Sequence, residues 1–204
     1  MSLIIEVARI PSSEAYRKDP SIINPALEIL VKAKGVQGVF TGIQVEDKTT
    51  LYLVVVWESL DAHKAAVENS EQNTKFRELI KQAGTGAPLI YRIPFKPNPI
   101  PQLHAPITEF AFFTLFEGKT PEDIRAILAP MVVGQVTIPD GTHGASFGQT
   151  TEREDVFCFL IGWDTVEIHE KGKAENEKLK EFISRLADVV HREPRHVPLT
   201  EFKL

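Results

Sequence analysis

Two histidines carry the clearest chemical signal in the chain, because each closes the same seven-residue pattern. His63 ends Trp57-Glu58-Ser59-Leu60-Asp61-Ala62-His63, and His169 ends Trp163-Asp164-Thr165-Val166-Glu167-Ile168-His169. An imidazole titrates near neutral pH, so one such group per half could act as a general base or orient a substrate. A third histidine, His143, lies in the turn-rich run Asp140-Gly141-Thr142-His143-Gly144, and Gln37 stands at the matching place in the first half. Unmatched residues are where one half could have specialised, which makes His143 a third catalytic candidate.

The repeated motif also has a structural reading, and it is the preferred one. Ser59 and Thr165 suit helix N-caps. Asp61 and Glu167 would then meet the positive end of the helix. His63 and His169 would reach back to Glu58 and Asp164, a carboxylate–imidazole form of the staple that fixes how a chain enters a helix. On that reading His63→Ala and His169→Ala each cost about 1 kcal/mol, as for a lost cap.

A pattern recurring at a fixed offset across half a chain marks a duplicated unit. The elements around the motif repeat with it. In the first half a strand spans 3–10, a helix 21–34 closed by Gly35, a hairpin 38–46 and 50–57, a long helix 60–83 and a strand 88–95. In the second half a strand spans 107–116, a helix opens at Pro121, a hairpin spans 144–151 and 156–163, a helix 166–190, and a last strand lies near 196–202. Both halves read βαββαβ. Five prolines between Pro94 and Pro106 argue against a helix there and for a stiff extended connection. The expected organisation is repeat 1 over 1–98, a Pro-rich linker over 99–106 and repeat 2 over 107–204.

The strands before each tryptophan, Leu51 to Trp57 and Val156 to Trp163, show no polar alternation. A strand apolar on both sides is buried on both faces. One face should pack the helices of its own unit, and the sheet of the sister unit is the natural cover for the other. Parity puts Leu51, Leu53, Val55 and Trp57 on one face, and Phe157, Phe159, Ile161 and Trp163 on the matching one. Few polar groups are available to enter a pocket: Thr41, Gln44, Tyr52, Tyr91, Arg92, His143, Ser146 and Gln149.

Composition narrows the function classes. A net charge of −5 argues against nucleic acid, which needs clustered cations to displace counterions. No run approaches the roughly 18 apolar residues of a membrane span, and the N-terminus lacks the pattern of a signal peptide. Cys158 is the sole cysteine, so no internal disulfide forms, and a cytoplasmic location is expected. Cys158 itself reads as a buried small hydrophobe. No pair of His, Cys or acidic residues has metal-ligand spacing on one helix face, so no metal is expected. Phosphate-loop, nucleophile-elbow and zincin motifs are absent.

The βαββαβ order with W-[ED]-[ST]-[LV]-[DE]-x-H at the third-strand-to-helix junction resembles the dimeric α/β-barrel superfamily. The resemblance is to its antibiotic-biosynthesis-monooxygenase-like and stress-responsive A/B-barrel branches, and it covers the chain twice. It implies an α+β fold in which two ferredoxin-like βαββαβ repeats form one pseudo-dimeric α/β barrel. Such a fused pair closes its own barrel, so a monomer suffices and a homodimer stays open. The resemblance also implies that the tryptophan face is the lumen face, with Trp57, Trp163, Leu51, Phe157 and Tyr52 as candidate ligand-binding residues. The implied activity is a cofactor-independent monooxygenase or cyclase-like reaction on a hydrophobic aromatic or polyketide-like small molecule. The alternative is a non-catalytic barrel binding an apolar ligand or a protein. The base of the plant polyketide cyclases would fall on Asn69-Ser70-Glu71-Gln72 or Glu175-Asn176-Glu177-Lys178, and neither contains a histidine. The second histidine of those enzymes maps to Leu51 and Phe157. The context of a haem-ligating histidine is likewise missing, so no cofactor is expected.

Overall fold

The computed structural model describes residues 3–68, 70–132 and 140–204. Contacts divide the chain into two units, one of residues 1–94 with 199–204 and the other of residues 95–198.

Unit 1 runs β1 (Ile4–Pro11), α1 (Glu14–Lys18), α2 (Asn24–Lys32), β2 (Val36–Ile43), β3 (Thr50–Trp57), α3 (Leu60–Glu68), α4 (Ser70–Ile80) and β4 (Leu89–Ile93). Its antiparallel sheet has the order β4-β1-β3-β2-β9, where β9 is the two-residue strand Thr200–Glu201 paired to β2. Unit 2 runs α5 (Ile100–Leu103), β5 (Ile107–Leu115), α6 (Pro121–Val132), β6 (Thr142–Gln149), β7 (Val156–Trp163), α7 (Val166–Glu175), α8 (Glu177–Ala187) and β8 (Val190–Val197). Its antiparallel sheet has the order β6-β7-β5-β8. Each unit is thus a ferredoxin-like α+β repeat, with the hairpin and the strand flanking it where the alternation places them.

The differences from expectation are local. The segment before β5 is not wholly extended, because Ile100–Leu103 forms one helical turn. Prolines permit this since Pro99 is the N-cap and Pro101 lies in the first turn, where no amide donor is needed. This turn packs against β7 so closely that a Cβ on Gly162 would lie 2.7 Å from the Ala105 Cβ. The helix expected over 166–190 is two helices. Asn176 ends the first and caps the second, its side chain accepting from the Leu179 amide. The first-half helix expected over 60–83 is described as α3 and α4 on either side of residue 69, followed by a 3-10 turn at Lys81–Ala83. The helix expected from Ser21 starts at Asn24, after a 3-10 turn begun by Pro20. The last strand of the second half is β8, ending at Val197 rather than beginning near His196.

The orientation of the tryptophan face requires a correction. Leu51, Leu53, Val55 and Trp57 share one core with Leu27 and Leu30 of α2. Phe157, Phe159, Ile161 and Trp163 share one with Ile124 and Leu128 of α6 and Phe182 and Leu186 of α8. This is the helix-covered face of each sheet, not a lumen. Amphipathic helices must bury their apolar stripe, and the large side chains of the central strand are the surface that accepts them. Tyr52, Val54, Val56, Cys158 and Leu160 occupy the opposite face and are fully buried as well.

Candidate functional site

The two motif histidines sit at equivalent places, and their surroundings differ. Each belongs to the first turns of a helix whose cap is the expected one. Ser59 Oγ accepts from the Ala62 amide at 3.1 Å, and Thr165 Oγ1 from the Ile168 amide at 3.3 Å. The expected staple is not what they form. Helix entry is fixed instead by backbone bonds from Glu58 N to Gly35 O and from Asp164 N to Gly141 O, both 2.8 Å. Gly35 and Gly141 hold φ of 88° and 87°, a region that glycine reaches without strain. His63 and His169 turn the other way, over the sheet and onto their tryptophans.

In each unit the histidine meets a glutamate on the first strand and a third group on the last. Glu6 lies opposite Val55 and Arg92 in the sheet register, and Glu109 lies opposite Ile161 and His196. Thus Glu6, His63 and Arg92 correspond to Glu109, His169 and His196.

In unit 1 the three tips form an ion cluster. His63 Nε2 is 2.7 Å from Glu6 Oε2, and Arg92 Nε is 2.9 Å from both. The His63 ring stands edge-on to Trp57 with centroids 5.3 Å apart. Trp57 Nε1 and His63 Nδ1 are buried without a hydrogen-bond partner among the described residues.

Unit 2 has no fixed cation at that place. His169 Nδ1 is hydrogen-bonded to His196 Nε2 at 2.7 Å and lies 3.6 Å from Glu109 Oε2. Trp163 Nε1 donates to Glu109 Oε2 at 2.8 Å, and the His169 ring stacks on the Trp163 ring with centroids 4.7 Å apart. Glu109, His169 and His196 are all buried. Burial pushes the Glu109 carboxyl up, opposed by His196 and by the Trp163 bond. Burial, reinforced by His196, pushes His169 down to about 3. His169 is therefore a neutral imidazole at physiological pH.

Glu109 and His169 of this cluster line a cavity of about 390 Å³. Its walls include Ala111 and Phe113 of β5, Phe159 and Ile161 of β7, Met131 of α6 and Phe182 of α8. Glu109, Trp163, His169 and Lys173 supply the polar end, and His191 and Arg192 of β8 line it elsewhere. The volume and the mix of apolar walls with a few convergent polar groups match a small-molecule site. The corresponding face of unit 1 carries Tyr16 of α1 and Ile23 in its core.

The other sequence candidates fall elsewhere. His143 is exposed and pairs with Asp164 at 2.7 Å. Leu51 and Trp57 are core residues of unit 1, and Tyr52 lies on the opposite sheet face, its hydroxyl 3.5 Å from Gln44 Oε1. Phe157 is core in unit 2, with the Arg125 guanidinium over its ring. Of the polar cyclase positions, Asn69 lies outside the described residues. Glu6, Glu109 and His196 were missed. A signal existed, since Glu6-Val7-Ala8 and Glu109-Phe110-Ala111 both place an acid inside an apolar strand. A buried-strand carboxylate needs a partner, and that need points to a site.

No family profile matches the sequence, and no curated protein matches it. Solved structures do. An anthrone oxidase-like protein is 14% identical with a TM-score of 0.71, over 98% of this chain and 91% of its own. A monooxygenase, so named provisionally, from Lactobacillus acidophilus is 12% identical with a TM-score of 0.67, over 98% and 96%. A second such protein, from Fusobacterium nucleatum, is 16% identical with a TM-score of 0.67, over 100% and 98%. These likenesses span both repeats at once. The chain therefore shares the fold of these proteins, with two ferredoxin-like α+β units in tandem.

Proposed function

We propose that the chain is an oxygenase-like enzyme acting on a flat hydrophobic small molecule held in unit 2. The observation that carries this is the cavity of about 390 Å³ lined by the buried Glu109 and His169, with His196 hydrogen-bonded to His169. The names given to the structural neighbours, monooxygenase and anthrone oxidase-like, support the reaction class.

The chemistry the site supports is removal of a proton from a carbon flanked by aromatic rings. Neutral His169 is the acceptor, and the carboxylates of Glu109 and Glu170, 3.6 and 3.9 Å from its Nδ1, stabilise the imidazolium that forms. Trp163 and the phenylalanines would hold the ring system flat against the sheet. Loss of that proton leaves an electron-rich carbanion that reacts with dioxygen. For an anthrone, the CH2 becomes C=O, one oxygen atom enters the product and the other leaves as water. The chain itself supplies only binding and proton transfer. Among the described residues no helix is long and apolar enough to cross a membrane, and Cys158 is buried. Both are compatible with a cytoplasmic location.

The test is aerobic incubation with a panel of anthrones while dissolved oxygen is followed. Uptake stoichiometric with quinone formation is expected, and it should disappear in His169→Asn. Tight ligand binding with no oxygen uptake would instead establish the non-catalytic binding reading.

A further inference from the structure

We infer that Glu109, His169 and His196 form a binding site for one divalent first-row metal ion, present in unit 2 alone. His169 Nδ1, His196 Nε2 and Glu109 Oε2 lie 2.7, 3.6 and 4.0 Å from one another. A point equidistant from all three lies roughly 2 Å from each, which is the bond length of such ions to imidazole nitrogen and carboxylate oxygen. Among the described residues this is a set of three potential ligands whose donor atoms all fall within 4.8 Å.

The surroundings fit a metal as well as the distances do. Two imidazoles and one carboxylate would hold the ion near the plane of their donor atoms and leave positions open above or below it, the pattern of reactive rather than purely structural sites. Glu109 and His169 line the cavity, which gives a ligand there access to an ion held at this place. Trp163 Nε1 donates to Glu109 Oε2 and fixes the carboxylate, as an outer-shell partner does.

The comparison with unit 1 adds an independent argument. There the carboxylate of Glu6 is neutralised by the Arg92 guanidinium at 2.9 Å. In unit 2 the same register position is His196, which has no permanent charge but can ligate. Lys173, the nearby cation, is bound to Glu170 at 2.8 Å. A buried carboxylate then calls for a cation from elsewhere, and two imidazoles, which are metal ligands, make the place selective for a transition metal. The ion takes the room of the proton now shared between His169 and His196. The inference rests on the proposed function only for the cavity that gives a ligand access to the ion. With an ion bound, ion-held hydroxide rather than free imidazole would accept the substrate proton.

The experiment titrates chelator-treated, dialysed full-length protein with Co2+, read by visible absorption, and with Zn2+, read by calorimetry. One ion per chain is expected, with ligand-field bands for Co2+. His196→Arg, which copies unit 1, His196→Gln and Glu109→Gln should each weaken binding by more than about 100-fold, the upper range for loss of an outer-shell partner. Glu6→Gln should bind as wild type does. Wild-type protein that takes up no ion below millimolar concentration would overturn the inference, as would unchanged affinity in the variants. Binding of 9-anthracenemethanol, measured separately without metal, keeps the two claims apart. If the aromatic binds and Co2+ does not, only the metal site fails. If Co2+ binds and the aromatic does not, only the proposed function fails.

Discussion

Unit 1 and unit 2 place a glutamate, a histidine and a tryptophan in the same sheet register, and one residue makes the clusters different. Arg92 in unit 1 brings a permanent charge, so Glu6 is paired and Trp57 Nε1 is left without a partner among the described residues. His196 in unit 2 brings a ring that binds His169, so Glu109 turns to Trp163. The first cluster is a partly exposed ion pair. The second is a buried, neutral-leaning set that borders a cavity. A duplicated motif is therefore weak evidence for duplicated chemistry. The carboxylate–imidazole pair is common to both copies, and what stands beside it decides whether it holds the fold or can react.

The largest effect expected from exchanging these third groups is on turnover. His196→Arg should lower anthrone-dependent oxygen uptake by about 100-fold or more, the usual contribution of acid–base catalysis. Arg92→His should leave the rate within a factor of about two, far below that range. Arg92→Gln should instead be read in stability, through chemical denaturation. It leaves Glu6 with His63 alone, and because both groups are part-exposed the loss should be about 1–3 kcal/mol, below that for a fully buried pair.

Acid sensitivity separates the units next. His169 has a folded pKa of about 3 against an ordinary 6.5. The unfolded chain then binds the extra proton as pH falls below 6.5, so this group lowers stability with a slope of up to about 1.4 kcal/mol per pH unit. Glu109 works in the opposite sense, because its raised carboxyl pKa makes the folded state the better proton binder above pH 4.5. His169→Asn should therefore flatten the loss of stability between pH 6.5 and 5, followed by urea unfolding. An unchanged pH profile would mean that His169 is not buried as described. The smallest effect belongs to the caps. Ser59→Ala and Thr165→Ala should each cost about 1 kcal/mol and by similar amounts, since that local structure is shared.

The fold was legible where a local pattern and its cause coincide. The hairpin strands read from their unbroken apolar runs, and the caps read from Ser59 and Thr165. The helical turn at Ile100–Leu103 did not, because prolines oppose a helix interior but are accepted in a first turn. The site was harder to read, since its members come from β5, α7 and β8 and no two are near in sequence. The spacing from Glu6 to Trp57 also differs from that between Glu109 and Trp163, so the acid falls out of step with the motif that would have revealed it. The tryptophan face was assigned to the wrong side because apolarity shows that a face is buried and says nothing of what covers it. Its cover is the unit's own helices.

The central claim is that unit 2 works on a ligand while the matching cluster of unit 1 supports the fold. Oxygen uptake with an anthrone, measured side by side for Glu109→Gln and Glu6→Gln, tests it most directly. The account predicts that Glu109→Gln loses turnover by about 100-fold or more while Glu6→Gln keeps it. Equal loss in both variants, or loss confined to Glu6→Gln, would contradict it.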